Sequence, residues 1–255
     1  MQEHAYIISI GGLDPSSGAG ITSDIKTFEA HGLYGLSVCT AVTIQDDVSF
    51  KSCEWVPYKT IKGQLETLLN RFSVPVIKIG IIENWDVLAN LLEFIRQHDP
   101  NIKIIVDPIL KASAGYNFHS EEYLQHFDRV MEYSYLITPN YEEIKALYPE
   151  KSIADTLSYM TQKTNIYLKG GHRADQKGWD QLHHSGIIQT NIEPKVDKIH
   201  EKHGSGCVLS AALASNLAKG IPLEDACRLA KYYTETFLNS NESLLGTHIE
   251  LRMNS

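Results

Sequence analysis

GGLDPSSGAG, residues 11–20, stands between the apolar run YIISI at 6–10 and an amphipathic run at 21–30. A short β-branched strand, a glycine-rich turn and a helix form the opening of a βαβ unit. The same alternation continues outward. Strands are predicted at 37–44, 76–81, 103–106, 135–137 and 166–168, and helices at 60–72, 85–98 and 120–132. Strand and helix in turn predict an α/β fold with a mostly parallel sheet and helices on both faces. Several strands are unbroken Ile/Val runs, as buried parallel strands require. After Gly171 the pattern changes. Residues 182–188 and 192–196 predict a hairpin turning around 189–191. Two helices follow at 207–219 and 223–238, divided by Gly220-Ile221-Pro222, a stop and start signal. No Pro/Gly/Ser-rich linker and no repeat divides residues 1–255, so a single domain is expected.

The 255 residues carry a formal net charge of −8 and no long basic run, which argues against nucleic acid as a partner. No apolar stretch is long enough to span a membrane. The amino-terminal residues lack the basic start and small-residue cleavage site of a signal peptide. The four cysteines, Cys39, Cys53, Cys207 and Cys227, form no CxxC pair. A cytoplasmic location is expected.

Four motifs could carry chemistry. In residues 11–20 the glycines and serines permit close backbone approach to a ligand at a helix start, and Asp14 either caps the turn or faces that ligand. The stretch has neither GxGxxG nor GK[ST], and it reads equally as a tight βα turn. In HGSGCVLSAALA, from His203, the backbone of Gly204, Ser205 and Gly206 can form an anion nest at a helix N-terminus. Such a nest stabilises charge on a transferring phosphoryl group. Cys207 follows in the first turn, where a thiol pKa is lowered from about 8.5 and the sulfur could accept a hydroxyl proton; the alternative is a small packing residue. In TPNYEE, residues 138–143, Asn140 and Glu143 share one face of a starting helix. They suit a hydrated Mg²⁺ beside phosphates, or equally a capping box. In YLKGGH, residues 167–172, Lys169 either reaches a phosphate or is solvated. Gln45 and Asp107 stand at strand carboxyl ends, where open α/β sheets bind ligands. The amide of Gln45 suits an aminopyrimidine edge or a local backbone contact. His183 and His184 show no metal-ligand spacing.

In order and spacing, GGLDPSSGAGITSDIKTF, YGLSVCTAVTIQ, IKIGII, VDPIL, LITPN with its acidic pair, LKGGH and HGSGCVLSAALA resemble the hydroxymethylpyrimidine/phosphomethylpyrimidine kinases of thiamine biosynthesis, within the ribokinase superfamily. The resemblance runs from about Tyr6 to about Leu245. It implies a three-layer α/β/α fold, ATP and Mg²⁺ as cofactors, a small pyrimidine substrate and a homodimer. It places Gly12, Asp14, Ala19, Val42, Ile81 and Asp107 around the substrate, with Gln45 against the pyrimidine amino group and ring nitrogen and Ile81 against the ring. It places Asn140, Glu143, Lys169 and His172 on the nucleotide side. Glu143, through water, and Asp107 stand nearest the metal. Gly204, Ser205 and Gly206 correspond to the anion hole and Cys207 to the catalytic base.

Two stretches depart from that pattern. DPILKASAG has Ser113 where the family has lysine, with Lys111 two residues early, and Glu201 and Lys202 stand where Asn and Thr are usual. Both lie near the phosphate path, which separates phosphorylation of the alcohol from phosphorylation of its monophosphate. Competing expectations are a pyridoxal kinase on the same scaffold and a non-catalytic pyrimidine-binding protein.

Overall fold

The computed structural model describes residues 5–110, 127–171, 178–184, 188–196 and 199–250. Its elements, in chain order, are β1 (Tyr6–Leu13), α1 (Gly20–Ala30), β2 (Tyr34–Gln45), β3 (Phe50–Trp55), α2 (Tyr58–Leu69), β4 (Val76–Ile79), α3 (Trp85–His98), β5 (Lys103–Val106), α4 (Phe127–Tyr133), β6 (Leu136–Ile137), α5 (Tyr141–Leu147), α6 (Ile153–Met160), β7 (Asn165–Leu168), β8 (Asp180–His184), β9 (Ile188–Ile192), α7 (Ser205–Ala218) and α8 (Leu223–Leu238). The nine strands form one sheet in the order β3-β2-β1-β4-β5-β6-β7-β8-β9. From β2 to β7 all neighbours are parallel, and β3, β8 and β9 add antiparallel edges.

Side chains alternate across a strand, so each central strand feeds two cores. Ile8, Ile10, Ile77, Ile79, Ile104, Val106, Ile137, Ile166 and Leu168 face a core shared with α2, α3, α4, α5 and α6. Ile7, Val76, Ile105, Leu136 and Tyr167 face the opposite core, shared with α1, α7 and α8. The three-layer arrangement follows from those two buried faces. Helix α7 is buried without a break from Cys207 to Leu217, because the sheet, α1 and α8 enclose it. Its sequence is accordingly apolar or small all round.

The expected elements recur with shifted ends, and several differences have identifiable causes. β1 continues to Leu13, so Gly11 and Gly12 pair with β2 as strand residues rather than turn residues. The edge strand β3, FKSCEW, buries no side chain fully and so lacks the apolar alternation that would have marked it. Helices α5 and α6 are only seven and eight residues long, too short for a strong periodic signal. The hairpin is displaced. Its strands are Asp180–His184 and Ile188–Ile192, with Leu182 opposite Thr190 and His183 opposite Gln189, so residues 189–191 lie inside β9 rather than at the turn. Asp180 is drawn into β8 because its carboxylate accepts from the Tyr167 hydroxyl (2.7 Å) and the Gly170 amide (2.6 Å). The helix expected at 120–132 is seen from Phe127, and its earlier part lies outside the described residues.

Behind α1, His31 stacks edge-on against Tyr233 at 4.5 Å, and the Tyr233 hydroxyl meets His248 Nδ1 at 3.0 Å. Burial lowers the pKa of both histidines to about 4. The unfolded chain therefore binds more protons than the folded one between the free histidine value, about 6.5, and about 4. Stability is expected to fall as pH drops through that window, by up to about 1.4 kcal/mol per pH unit per histidine. Urea unfolding at pH 7 and pH 5 measures it. A His31→Leu/His248→Phe variant should show a flatter dependence, and an unchanged slope would contradict the assignment.

Candidate active site

The carboxyl ends of the parallel strands bring the predicted segments together. β1 runs into the 14–20 loop, and the Asp14 carboxylate organises that loop. It accepts from the amides of Ser16 (2.8 Å) and Ala19 (2.8 Å) and from the Ser16 hydroxyl (2.8 Å). His203 Nε2–H donates to it at 2.9 Å. Burial pushes the Asp14 pKa up, but the hydrogen bonds from His203, Ser16 and Ala19 outweigh burial and hold it below the ordinary carboxylate value. Asp14 thus serves as the clasp of the loop, and Ala19, which caps α1, spends its amide on that clasp. His203 was not singled out from sequence, although it opens the HGSGC motif.

The clasp sets two helix N-termini against each other. Gly204 has φ +76°, a left-handed conformation, and a Cβ there would overlap the Gly18 carbonyl. Gly20, with φ +61°, leaves the same absence of room beneath the Gly12 carbonyl. α7 begins with no side-chain cap and no acidic residue in its first turn. Its amides therefore remain available for an anion, as the helix dipole favours. Cys207 sits in that first turn, 7% exposed. Burial pushes the thiol pKa up to about 11, against the lowering influence of Lys78 and the Gly20 amide. The depressed pKa expected from a helix N-terminus is therefore corrected: desolvation outweighs the dipole.

Facing the nest is a second charged group. Asp107, 1% exposed after β5, accepts from Lys169 Nζ (2.8 Å), the Thr138 hydroxyl (3.2 Å) and the Ser210 hydroxyl (3.1 Å). Lys169 also lies 3.5 Å from Glu143 Oε2. Burial works against the Lys169 ammonium, but Asp107 and Glu143 outweigh it and push its pKa up. A Cβ on Gly206 would stand 3.6 Å from Lys169 Nζ, so the lysine closes the side of the nest. Asn140 and Glu143 form a complete capping box: the Asn140 amide donates to Glu143 Oε2 at 2.7 Å, and the Glu143 amide to Asn140 Oδ1 at 2.8 Å. Burial raises the Glu143 pKa to about 7, with Lys169 opposing. The capping-box reading of TPNYEE is met, and the cap also brings a carboxylate to Lys169. Ser210 and Thr138 escaped sequence reading; Ser210 lies one helical turn after Gly206.

On the other side, Gly12 lacks the Cβ that would collide with Ile81, and the Thr40 hydroxyl donates to the Ile81 carbonyl at 2.7 Å. Val42, 45% exposed, pairs with Leu13. Gln45 stands three residues further along β2, partly exposed and opposite Phe50. Lys202 is buried, with Nζ donating to the Asn241 carbonyl at 2.6 Å, so it fastens the carboxyl-terminal segment. His172, Lys111 and Ser113 lie outside the described residues.

A mostly parallel nine-stranded sheet, with an uncapped helix N-terminus and a lysine meeting at its carboxyl edge, defines a ribokinase-like small-molecule kinase. The family model described as phosphomethylpyrimidine kinase matches residues 14–251. The chain is 30% identical over 250 residues to the hydroxymethylpyrimidine/phosphomethylpyrimidine kinase of Rhizobium meliloti, covering 94% of this chain and 92% of that one. It is 31% identical over 244 residues to the protein of the same description from Haemophilus influenzae, with 91% and 90% covered. Among solved structures, phosphomethylpyrimidine kinase from Clostridium difficile superposes with a TM-score of 0.74 at 29% identity, covering 90% of this chain and 97% of that one. Pyridoxal kinase from Staphylococcus aureus shares the fold, with a TM-score of 0.83 at 21% identity, covering 98% of this chain and 95% of that one. The chain belongs to the phosphomethylpyrimidine kinase family.

Gly204→Ala should damage this site first. Its added Cβ meets the Gly18 carbonyl and forces a left-handed residue to carry a side chain. A loss of at least about tenfold in phosphoryl transfer is expected, together with a lower unfolding midpoint. Wild-type kinetics in this variant would show that the contact does not shape the nest.

Proposed function

We propose that the chain transfers the γ-phosphoryl group of ATP, with Mg²⁺, to the hydroxymethyl oxygen of 4-amino-5-hydroxymethyl-2-methylpyrimidine, and more slowly phosphorylates the resulting monophosphate. The supporting observation is the juxtaposition of the open α7 N-terminus with Cys207 and Lys169, within a chain that matches the family from residue 14 to 251. Phosphoryl transfer asks the protein for position and charge stabilisation more than for covalent chemistry. In this reading the backbone of Gly204, Ser205 and Gly206 receives the transferring group, and Lys169 leaves its two carboxylates to contact phosphate oxygens. The Cys207 sulfur, as thiolate, takes the hydroxyl proton as the substrate oxygen bonds to the γ-phosphorus and the bond to ADP breaks.

Gly12, Ile81 and Val42 supply the wall for a planar ring, and Gln45 recognises its amino edge. Asp14 and Ala19 shape that wall through the clasp. Asn140 holds Glu143 in place on the nucleotide side, where His172 completes the family pattern. Mg²⁺ would neutralise charge on the ATP phosphates. Among the described residues no three His, Cys, Asp or Glu side chains converge as a metal cage. A magnesium ion bound chiefly by phosphate and water needs one carboxylate or two. Glu143 fits that role better than Asp107, whose oxygens already accept from Lys169, Thr138 and Ser210.

Cys207→Ala is expected to retain substrate affinity while kcat falls about 10²–10⁴-fold, the usual contribution of a general base. An alanine variant with near wild-type turnover would make Cys207 a packing residue. The order of the two transfers is a separate measurement. Glu201 is exposed and acidic beside the nest, and Lys202 is committed to Asn241. The free alcohol should therefore show the higher kcat/KM. Supplying alcohol, monophosphate and pyridoxal separately decides this; a preference for the monophosphate contradicts the order, and a preference for pyridoxal contradicts the substrate.

A further inference from the structure

Asp180, the first residue of β8, is a buried carboxylate on which three donors converge. The Tyr167 hydroxyl of β7 donates to Oδ2 at 2.7 Å, and the Gly170 amide donates to Oδ1 at 2.6 Å. The third donor is Lys231 of α8, whose side chain is 12% exposed and whose Nζ stands 3.0 Å from Oδ2. The same ammonium donates to the Gly178 carbonyl at 2.6 Å and lies 3.6 Å from Glu235 Oε1, one helical turn on. Glu235 in turn accepts from the Lys195 amide at 3.0 Å. Helix α8 is thereby tied to the start of β8 and to the segment after β9.

The turn held in this way begins one residue after Lys169. Both polar backbone groups of Gly170 are engaged, the amide by Asp180 and the carbonyl by the Gly178 amide at 3.0 Å. A Cβ on Gly170 would overlap the Trp179 carbonyl, so the two backbone segments lie in contact there. Lys169 is fixed from the other side, where its amide donates to the Pro139 carbonyl at 2.8 Å. With the backbone held at both residues, the side chain alone decides where Nζ lies, now 2.8 Å from Asp107 and 3.5 Å from Glu143.

A buried ion pair is weak evidence for stability, because replacement by apolar residues is often neutral or stabilising. This pair meets at the turn that carries the lysine of the site. We infer that Asp180, clamped by Lys231, is a positioning residue for phosphoryl transfer: by holding Gly170 it sets where the Lys169 ammonium meets a phosphate of the nucleotide. Asp180 acts through Lys169 and not on the nucleotide. The lysine stem can rotate but cannot lengthen, so a backbone shift at 169–170 carries the ammonium off its contact. A misplacement of about 1 Å can cost about 10²-fold in rate. The inference rests on Lys169 contacting phosphate, as proposed above.

Steady-state kinetics of the full chain, with ATP and the pyrimidine varied separately, test it through a double-mutant cycle. Asp180→Ala should lower kcat/KM for ATP by about tenfold or more, while KM for the pyrimidine stays unchanged. In a Lys169→Met background the same substitution should have no further effect on the ATP parameters, because the group it positions is gone. Asp180→Ala leaves the Lys231 ammonium short of a partner and is at risk of misfolding. Asp180→Ala/Lys231→Met removes both charges, and the same ATP-selective loss is expected there. Tyr167→Phe removes a hydrogen bond to the same carboxylate but keeps the Gly170 tie. It should lower the unfolding midpoint and leave ATP kinetics at wild type. Additive losses in the cycle, a folded Asp180 variant with wild-type kcat/KM for ATP, or ATP kinetics that fall with the midpoint in Tyr167→Phe as well, overturn the inference alone. Wild-type ATP kinetics in Lys169→Met overturn the phosphate contact of Lys169, and the inference with it.

Discussion

The close approach of the α7 N-terminus to the 14–20 loop is the constraint on which the site depends. Gly204 has no side chain because the Gly18 carbonyl occupies that space, and His203 reaches Asp14 beside it. Residues nearly two hundred positions apart thereby form one wall. The clasp fixes the loop through the Ser16 and Ala19 amides, and so fixes the start of α1. If the contact loosens, the nest, the thiol and the loop lose their common frame. A catalytic constellation depends on being held within fractions of an ångström.

The sheet provides the rest by arithmetic of direction. Parallel strands end at one edge, so Ile81, Asp107, Asn140 and Lys169 arrive together from four separate βα units. Two faces of the sheet divide the work. One core, with α2 to α6, is almost purely apolar and holds the strands. The other includes Ser9, Asp24 and Lys78 among its aliphatic side chains, under the N-termini of α1 and α7. Ser9, Asp24 and Lys78 satisfy one another's hydrogen bonds there.

Much of this was legible in the residues. Unbroken Ile and Val runs marked the central strands, and Trp85–His98 and Leu223–Leu238 match their expected ranges. Glycine and serine clusters at strand ends marked the loops that meet at the site. Edges were harder: β3 buries no side chain fully, and the start of β8 is tied by Asp180, whose partners Tyr167 and Gly170 lie on the preceding strand and turn. Pairings distant in sequence were hidden for a related reason. Nothing local in ITSDIK or VIKI tells Asp24 to meet Lys78, although a lone lysine within a buried strand signals that some partner must exist. The Cys207 thiol shows the opposite failing. Its place at a helix N-terminus is legible in the glycines and serine before it, but the depth of its burial, which governs its proton, is a property of the packed layers.

The central claim is that the α7 N-terminus is the transfer site and that Cys207 faces the acceptor oxygen. A crystal structure with a non-hydrolysable ATP analogue and the hydroxymethylpyrimidine tests it most directly. The account predicts the terminal phosphate on the amides of residues 204–207, Lys169 on its oxygens, and the hydroxymethyl oxygen within hydrogen-bond reach of the Cys207 sulfur. A hydroxymethyl group directed away from Cys207, with the terminal phosphate bound elsewhere along the sheet edge, would contradict it.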